Sequence, residues 1–160
     1  MNIINFKLQN EWSLWYHDLS SNNWSLDSYK LIMKVKEYND LCFLMNQYDN
    51  VNCGMFFLMK NDIKPIFEDE QNINGGYWSF KTHKKFSNEN WLELSAGLIG
   101  NTIMEDPLFM KYITGISISP KISNCIIKIW NNTTTVSKCD IFNKEIEYLN
   151  PLNIRYNKNK

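Results

Sequence analysis

The run Ile66-Phe67-Glu68-Asp69-Glu70 sets a flat aromatic ring beside a carboxylate, and Gly75-Gly76-Tyr77-Trp78 follows a few residues later. An aromatic face attracts a cation by roughly 0.5–2 kcal/mol, and by more where water is excluded. A carboxylate next to that ring accepts two N–H donors from one base edge, a charge-assisted bidentate contact stronger than a neutral one. The pair suits a flat, electron-poor base, held by its face and read by its edge. Guanine methylated at N7 is such a base, cationic on its face and carrying N1–H and N2–H donors on its edge. The pattern is that of a binding site and not of a reaction centre. His17 and His83 stand beside no nucleophile, and the acidic run lacks the spaced glutamates and arginine of a Nudix hydrolase. Cys42, Cys53, Cys125 and Cys139 have no Cys-x-x-Cys spacing, which argues against a zinc or thioredoxin-type site. No catalytic residue, metal or cofactor is expected.

The elements that must position these residues are mostly strands. Leu8 to His17 is dense in aromatic and apolar residues, and Leu19 to Asn23 is a polar loop with Trp24 at its far edge, an odd place for a core residue. Lys30 to Val35 and Met55 to Lys60 read as further strands, and between them Tyr38, Leu41, Cys42, Met45 and Gln47-Tyr48 suit a helix. The glycine pair turns the chain into Tyr77 to Lys81, where Trp78 and Phe80 alternate with polar neighbours. A second helix follows, with Ser87 or Asn88 able to cap its start and Gly100 suited to a left-handed stop. Tyr112 to Ser119 and Cys125 to Trp130 form a hairpin around Pro120 to Asn124. Val136, Cys139, Phe142, Ile146 and Leu149 give a third helical stripe before Pro151 and a last short strand. The expected fold is α+β, an antiparallel sheet backed by three helices.

The 160 residues make one domain's worth of chain, with short flexible ends expected at 1–6 and 157–160. No apolar run approaches the roughly 20 residues of a membrane span, and no secretory signal opens the sequence. The cysteines are expected as reduced, mostly buried thiols of a cytosolic protein. Seventeen basic and seventeen acidic residues cancel, so non-specific attraction to a nucleic acid is weak and recognition of one must be local. The abundance of Asn, Ile and Lys resembles the coding bias of an AT-rich genome, such as that of a virus or protist.

With these residues in view, the chain resembles the eukaryotic translation initiation factor 4E family, which binds the 7-methylguanosine cap of mRNA. The likeness covers nearly the whole chain. It rests on Leu8-Gln9-Asn10-x-Trp12-x-Leu14-Trp15, on Trp24, on Ile63-x-Pro65-x-Phe67-Glu68-Asp69-Glu70 and on Gly75-Gly76-x-Trp78. Further along it rests on Trp91-Leu92-Glu93 with Leu98-Ile99-Gly100, and on Gly115 paired with Ile129-Trp130. The resemblance implies a curved sheet with the cap on its concave face and three helices on its convex back. It implies that Trp24 and Phe67 sandwich the methylated base and that Glu68 binds N1–H and N2–H. The backbone N–H of Phe67 would meet O6, and Trp130 would sit against the N7-methyl group. Trp12, Trp15, Trp78 and Trp91 are left as core residues.

Departures from the family pattern sharpen these expectations. The second sandwich position, usually Trp, is Phe67. On the phosphate side Lys121 stands where the family has a basic residue, while Ile126 and Tyr77 replace two others. Lys128, two residues along the same strand face as Trp130, is the candidate to supply the missing cation; Arg155, the sole arginine, has no assigned role. On the back, Tyr38, Cys42, Leu92 and Ala96 map to the patch that receives a 4G-type scaffold or repressor peptide, with Cys42 where the family has Trp. The expected partners are capped mRNA and such a scaffold or repressor, with no membrane, and the chain a cytoplasmic monomer outside that complex. Two roles remain open: an initiation factor that recruits the scaffold, and a cap-binding repressor or decoy that does not.

Overall fold

The computed structural model describes residues 6–47 and 50–159. Among the described residues seven antiparallel strands form one curved sheet: β1 (Lys7–His17), β2 (Tyr29–Glu37), β3 (Met55–Lys60), β4 (Gly76–His83), β5 (Ile113–Pro120), β6 (Asn124–Asn131) and β7 (Arg155–Lys158). Their order across the sheet is β2-β1-β3-β5-β6-β4-β7. The helical structure of the described residues is two α-helices, α1 (Tyr38–Gln47) and α2 (Ser87–Ile99), a six-residue 3-10 helix, Pro107–Tyr112, and two shorter 3-10 turns. Tyr48, expected at the end of the first helix, lies outside the described residues.

Strand alternation divides the sheet into two faces. Phe56 and Leu58 of β3, Ile116 and Ile118 of β5, Ile127 and Ile129 of β6 and Trp78 and Phe80 of β4 all join one core. Trp91, Leu94 and Leu98, spaced three and four apart, bring the buried face of α2 onto that core. Trp12, Trp78 and Trp91 are buried there, as expected of core tryptophans. Asn90 pins the helix, its amide donating to the Thr82 hydroxyl of β4 at 2.7 Å. The intervening residues face the other way, where Phe57, Met59 and Trp130 form a second, smaller cluster joined by half-buried Trp15, Tyr29, Phe67 and Tyr77.

Several local expectations are corrected. Val136 to Leu149 forms no helix. Its apolar residues do reach the core, but the Ile141 carbonyl accepts from Glu105 N–H, the Asn143 N–H donates to Ile103 O, and Phe142 bridges Met104. These long-range backbone pairings take the groups that a helix would have used internally. The start of α2 is capped by neither Ser87 nor Asn88; Phe86 is its first flanking residue, the Ser87 hydroxyl donates back to Lys84 O, and Asn88 accepts from Val51 N–H. The left-handed residue after α2 is Asn101, at φ 58°, and Gly100 stays right-handed at φ −82°. Asn157 and Lys158 are not a flexible end but part of β7, paired with Tyr77 and Gly76. Of the four free thiols only Cys125 is fully buried; Cys53 is exposed, and Cys42 and Cys139 are half-buried.

The glycine pair also acts differently from a turn. Neither residue has positive φ. A Cβ on Gly75 would lie 1.8 Å from the Asn131 carbonyl oxygen, and one on Gly76 would lie 2.3 Å from the Asn157 oxygen. Glycine is required here because backbones approach closely on both sides.

Candidate nucleotide-binding site

The face opposite α2 holds a cavity of about 500 Å³ lined by Trp24, Tyr29, Phe67, Glu68, Lys121, Lys128 and Trp130, among others. That size suits a small ligand. The six side chains expected to bind base and phosphates arrive from four places: the β1–β2 loop, the β3–β4 loop, the β5–β6 turn and β6.

Trp130 forms the floor. It is buried, and its indole Nε1–H donates to the Ser117 hydroxyl of the neighbouring strand at 3.0 Å. The Phe67 ring leans against it with centroids 5.0 Å apart and planes at 35°. Tyr77 backs Phe67 in a parallel arrangement at 5.9 Å. Phe67 is thus held by two aromatic neighbours.

The loop that carries Phe67 and Glu68 is fastened by two side chains that the sequence reading passed over. Asp69 accepts from Lys64 N–H at 2.8 Å with one oxygen and from Gln71 N–H at 2.9 Å with the other. Asn72, fully buried, donates to the carbonyls of Lys64 and Ile66 at 3.0 and 2.8 Å. The Asn159 amide in turn donates to Asn72 O. Asp and Asn are the residue types that satisfy loop backbone in this way, so the signal was present in the composition of the acidic run. Glu68 itself is exposed, and among the described residues nothing donates to its carboxylate. It is free to accept from a ligand.

The opposite wall is Trp24, 54% exposed. One face of its indole stacks on the imidazole of His17, 4.4 Å away and 5° from parallel. His17 is fully buried, and its Nε2 pairs with the Asn23 carbonyl at 2.8 Å. Tyr29 tilts against the same imidazole at 4.7 Å. Burial, and after it the nearby charge of Glu68, pushes the Tyr29 phenol up to about 12. His17 and Tyr29 had no role in the sequence reading, since nothing in their spacing shows that β1 and β2 pair them beside Trp24.

Lys121 and Lys128 supply positive charge to the same cavity. The Lys128 ammonium sits 4.2 Å from the Tyr77 ring centroid and 5.6 Å from that of Phe67. Burial, and then the like charge of Lys121, hold Lys128 below the ordinary lysine value. A half-buried ammonium with no carboxylate partner among the described residues is arranged to receive an anion. Ile126 lines the cavity as well, an apolar residue between the two cations.

On the helical face, the Tyr38 phenol and the Cys42 thiol interact, and that interaction raises the Tyr38 value. Leu92 and Ala96 share one face of α2 and are half-buried. The exposed aromatic surface of α1 is carried by Tyr38 and by Phe43, at 52% and 53% exposure. Among the described residues no His, Cys, Asp and Glu group has the arrangement of a metal site, and no helix is long and apolar enough to cross a membrane.

Residues 7–160 match the family model described as eukaryotic initiation factor 4E. The chain is similar to a translation initiation factor 4E of Dictyostelium discoideum, with 29% identity over 146 residues, covering 86% of this chain and 56% of the relative. It spans little more than half the length of the curated relatives it matches first. Its fold is similar to that of Ascaris suum eIF4E-3 in complex with the m7G cap, at TM-score 0.79 and 25% identity over 98% of this chain and 93% of that one. It is also similar to C. elegans eIF4E-3 in complex with the 4E-binding protein Mextli and a cap analog, at TM-score 0.72 and 26% identity over 82% and 76% of the two chains.

Proposed function

The chain belongs to the eukaryotic initiation factor 4E family, and on that premise we propose that it binds the 7-methylguanosine 5′ cap of mRNA and recruits a 4G-type scaffold to begin translation. It acts in the cytoplasm as a binding protein and not as an enzyme. The observation that carries this reading is the convergence of Trp24, Phe67, Glu68, Trp130, Lys121 and Lys128 on one cavity. The cationic base lies between Trp24 and Phe67, with its N7-methyl group toward Trp130. Stacking supplies affinity, and the Glu68 carboxylate separates guanine from adenine because only guanine offers two adjacent donors on that edge. Lys121 and Lys128 take the phosphates, Lys128 exchanging the faces of Tyr77 and Phe67 for a charged oxygen.

Titration with 7-methylguanosine triphosphate and with GTP, followed by tryptophan fluorescence, tests the reading. Strong preference for the methylated nucleotide is expected, and equal affinity for both would overturn it.

Recruitment rests on Tyr38, Cys42, Leu92 and Ala96. One observation favours the second role, a cap-binding repressor or decoy without a scaffold. Cys42 is half-buried and engaged with Tyr38, so it presents little surface where a tryptophan anchor is expected. Capture of a 4G-type fragment on the cap-bound protein separates the two: retention supports the initiation factor, and no retention supports the decoy.

A further inference from the structure

We infer that the chain reads the first phosphate after the methylated base and is nearly indifferent to how many phosphates follow. The inference rests on the cap reading above and names which phosphorylated forms of the nucleoside that pocket takes. Two observations carry it: the half-buried cation Lys128 stands close to the aromatic floor, and an apolar residue, Ile126, holds the next place along the strand. Charge is thus concentrated at one point of the ligand's path instead of being spread along it.

Register lays the pocket out in rows. On β6 the side chains of Trp130, Lys128 and Ile126 share the face that lines the cavity, each two residues and so roughly 6.6 Å from the next. On β5 the residues paired with them are Gly115, Ser117 and Ser119, in that order. Lys121 lies beyond, in the β5–β6 turn, where its N–H donates to Asn124 O at 2.7 Å. With the N7-methyl group toward Trp130, the ribose spans the interval to the Lys128 row and sets the first phosphate there. The phosphates after it pass the apolar Ile126 before any second cation comes within reach.

The two cations are unequal. Lys128 keeps its ammonium 4.2 Å from the Tyr77 ring centroid, and Tyr77 pairs with Trp130, so the charge leans back toward the base end of the pocket. A charge-assisted contact made there, partly out of water, is stronger than one made in full solvent. Lys121 is exposed, and a contact to it is screened and adds little. Ser119, in the Ile126 row, is buried and its hydroxyl has no partner among the described residues, but it offers only a neutral donor. Lys81, opposite Ile126 on β4, is exposed and lies outside the lining of this cavity. Affinity is therefore expected to rise at the first phosphate and to level off after it.

The test is a tryptophan-fluorescence titration of the wild-type chain with 7-methylguanosine and with its monophosphate, diphosphate and triphosphate, at about 0.15 M salt. The monophosphate is expected to bind about tenfold more tightly than the nucleoside, and the two longer forms to stay within about threefold of the monophosphate. Lys128→Ala is expected to erase the first step, bringing the monophosphate within about twofold of the nucleoside. Ile126→Lys puts a charge on the apolar row and is expected to restore a dependence on length, strengthening the triphosphate by at least about threefold more than the monophosphate. A wild-type affinity that climbs by more than about threefold from monophosphate to triphosphate would overturn the inference, and so would a Lys128→Ala variant that keeps the whole first step. A wild-type chain that binds 7-methylguanosine triphosphate and GTP equally would overturn the cap reading itself, and the phosphate reading with it.

Discussion

The imidazole of His17 lies ring on ring with the indole of Trp24, so one wall of the cavity is a two-layer stack rooted in β1. An aromatic pair of this kind contributes about 0.5–1.5 kcal/mol beyond its buried area. His17→Ala is expected to lower affinity for the methylated nucleotide by roughly two- to tenfold, because Trp24 must then be ordered by the ligand alone. His17→Phe keeps the ring and is expected to keep the affinity. Isothermal titration of both variants checks this, and an alanine variant that binds as well as wild type would show that the stack is incidental.

Trp24 and Glu68 are expected to fail in different ways. Trp24→Ala removes one face of the sandwich and should abolish measurable cap binding. Glu68→Gln keeps the shape of the edge reader and removes its charge, so selectivity against adenine nucleotides should fall by roughly tenfold or more, the worth of a hydrogen bond to a charged group. Competition between methylated guanine and adenine nucleotides measures it.

Lys128 gives binding a pH signature. Burial holds its value below the ordinary 10.5. A bound phosphate favours the protonated form, so affinity is fully present below the free protein's Lys128 value and declines as pH rises through it. Binding of the triphosphate is therefore expected to weaken in the alkaline range sooner than an ordinary lysine would cause, with proton uptake visible as a buffer dependence of the binding enthalpy. In Lys128→Arg the early decline should disappear.

Asn72 is the fastening of the Phe67 loop. Asn72→Ala would strip the donors from the carbonyls of Lys64 and Ile66 at a fully buried position, at a cost of about 2–3 kcal/mol. Urea unfolding should show that loss, and the surviving folded protein should bind the cap more weakly because Phe67 and Glu68 ride on the same loop.

The strands were legible from dense apolar and aromatic runs and, in β4, from alternation. Met55 to Lys60 was expected at its observed limits, and Trp78 and Phe80 announced which face of β4 meets the core. The base and phosphate candidates came from family likeness, and the structure gathers all six around one cavity. What sequence could not supply was contact between distant segments. The helical spacing of Val136, Cys139 and Phe142 was misleading because residues 103–105 claim the backbone of 141–143. His17 and Tyr29 were silent because their meaning lies in strand register. Gly75 and Gly76 were noticed, but for a turn, when the crowding comes from Asn131 and Asn157.

The two walls of the cavity are anchored unequally. The Phe67 loop is tied to residue 159 and wedged between Tyr77 and Trp130. Among the described residues, the hydrogen bonds within the β1–β2 loop that bears Trp24 join residues no more than six positions apart. That loop can swing aside without breaking any rung of the sheet. On the cap-binding reading, ligand dwell time is expected to follow a local opening of that hairpin end, so that a bound nucleotide departs while the fold stays closed behind it.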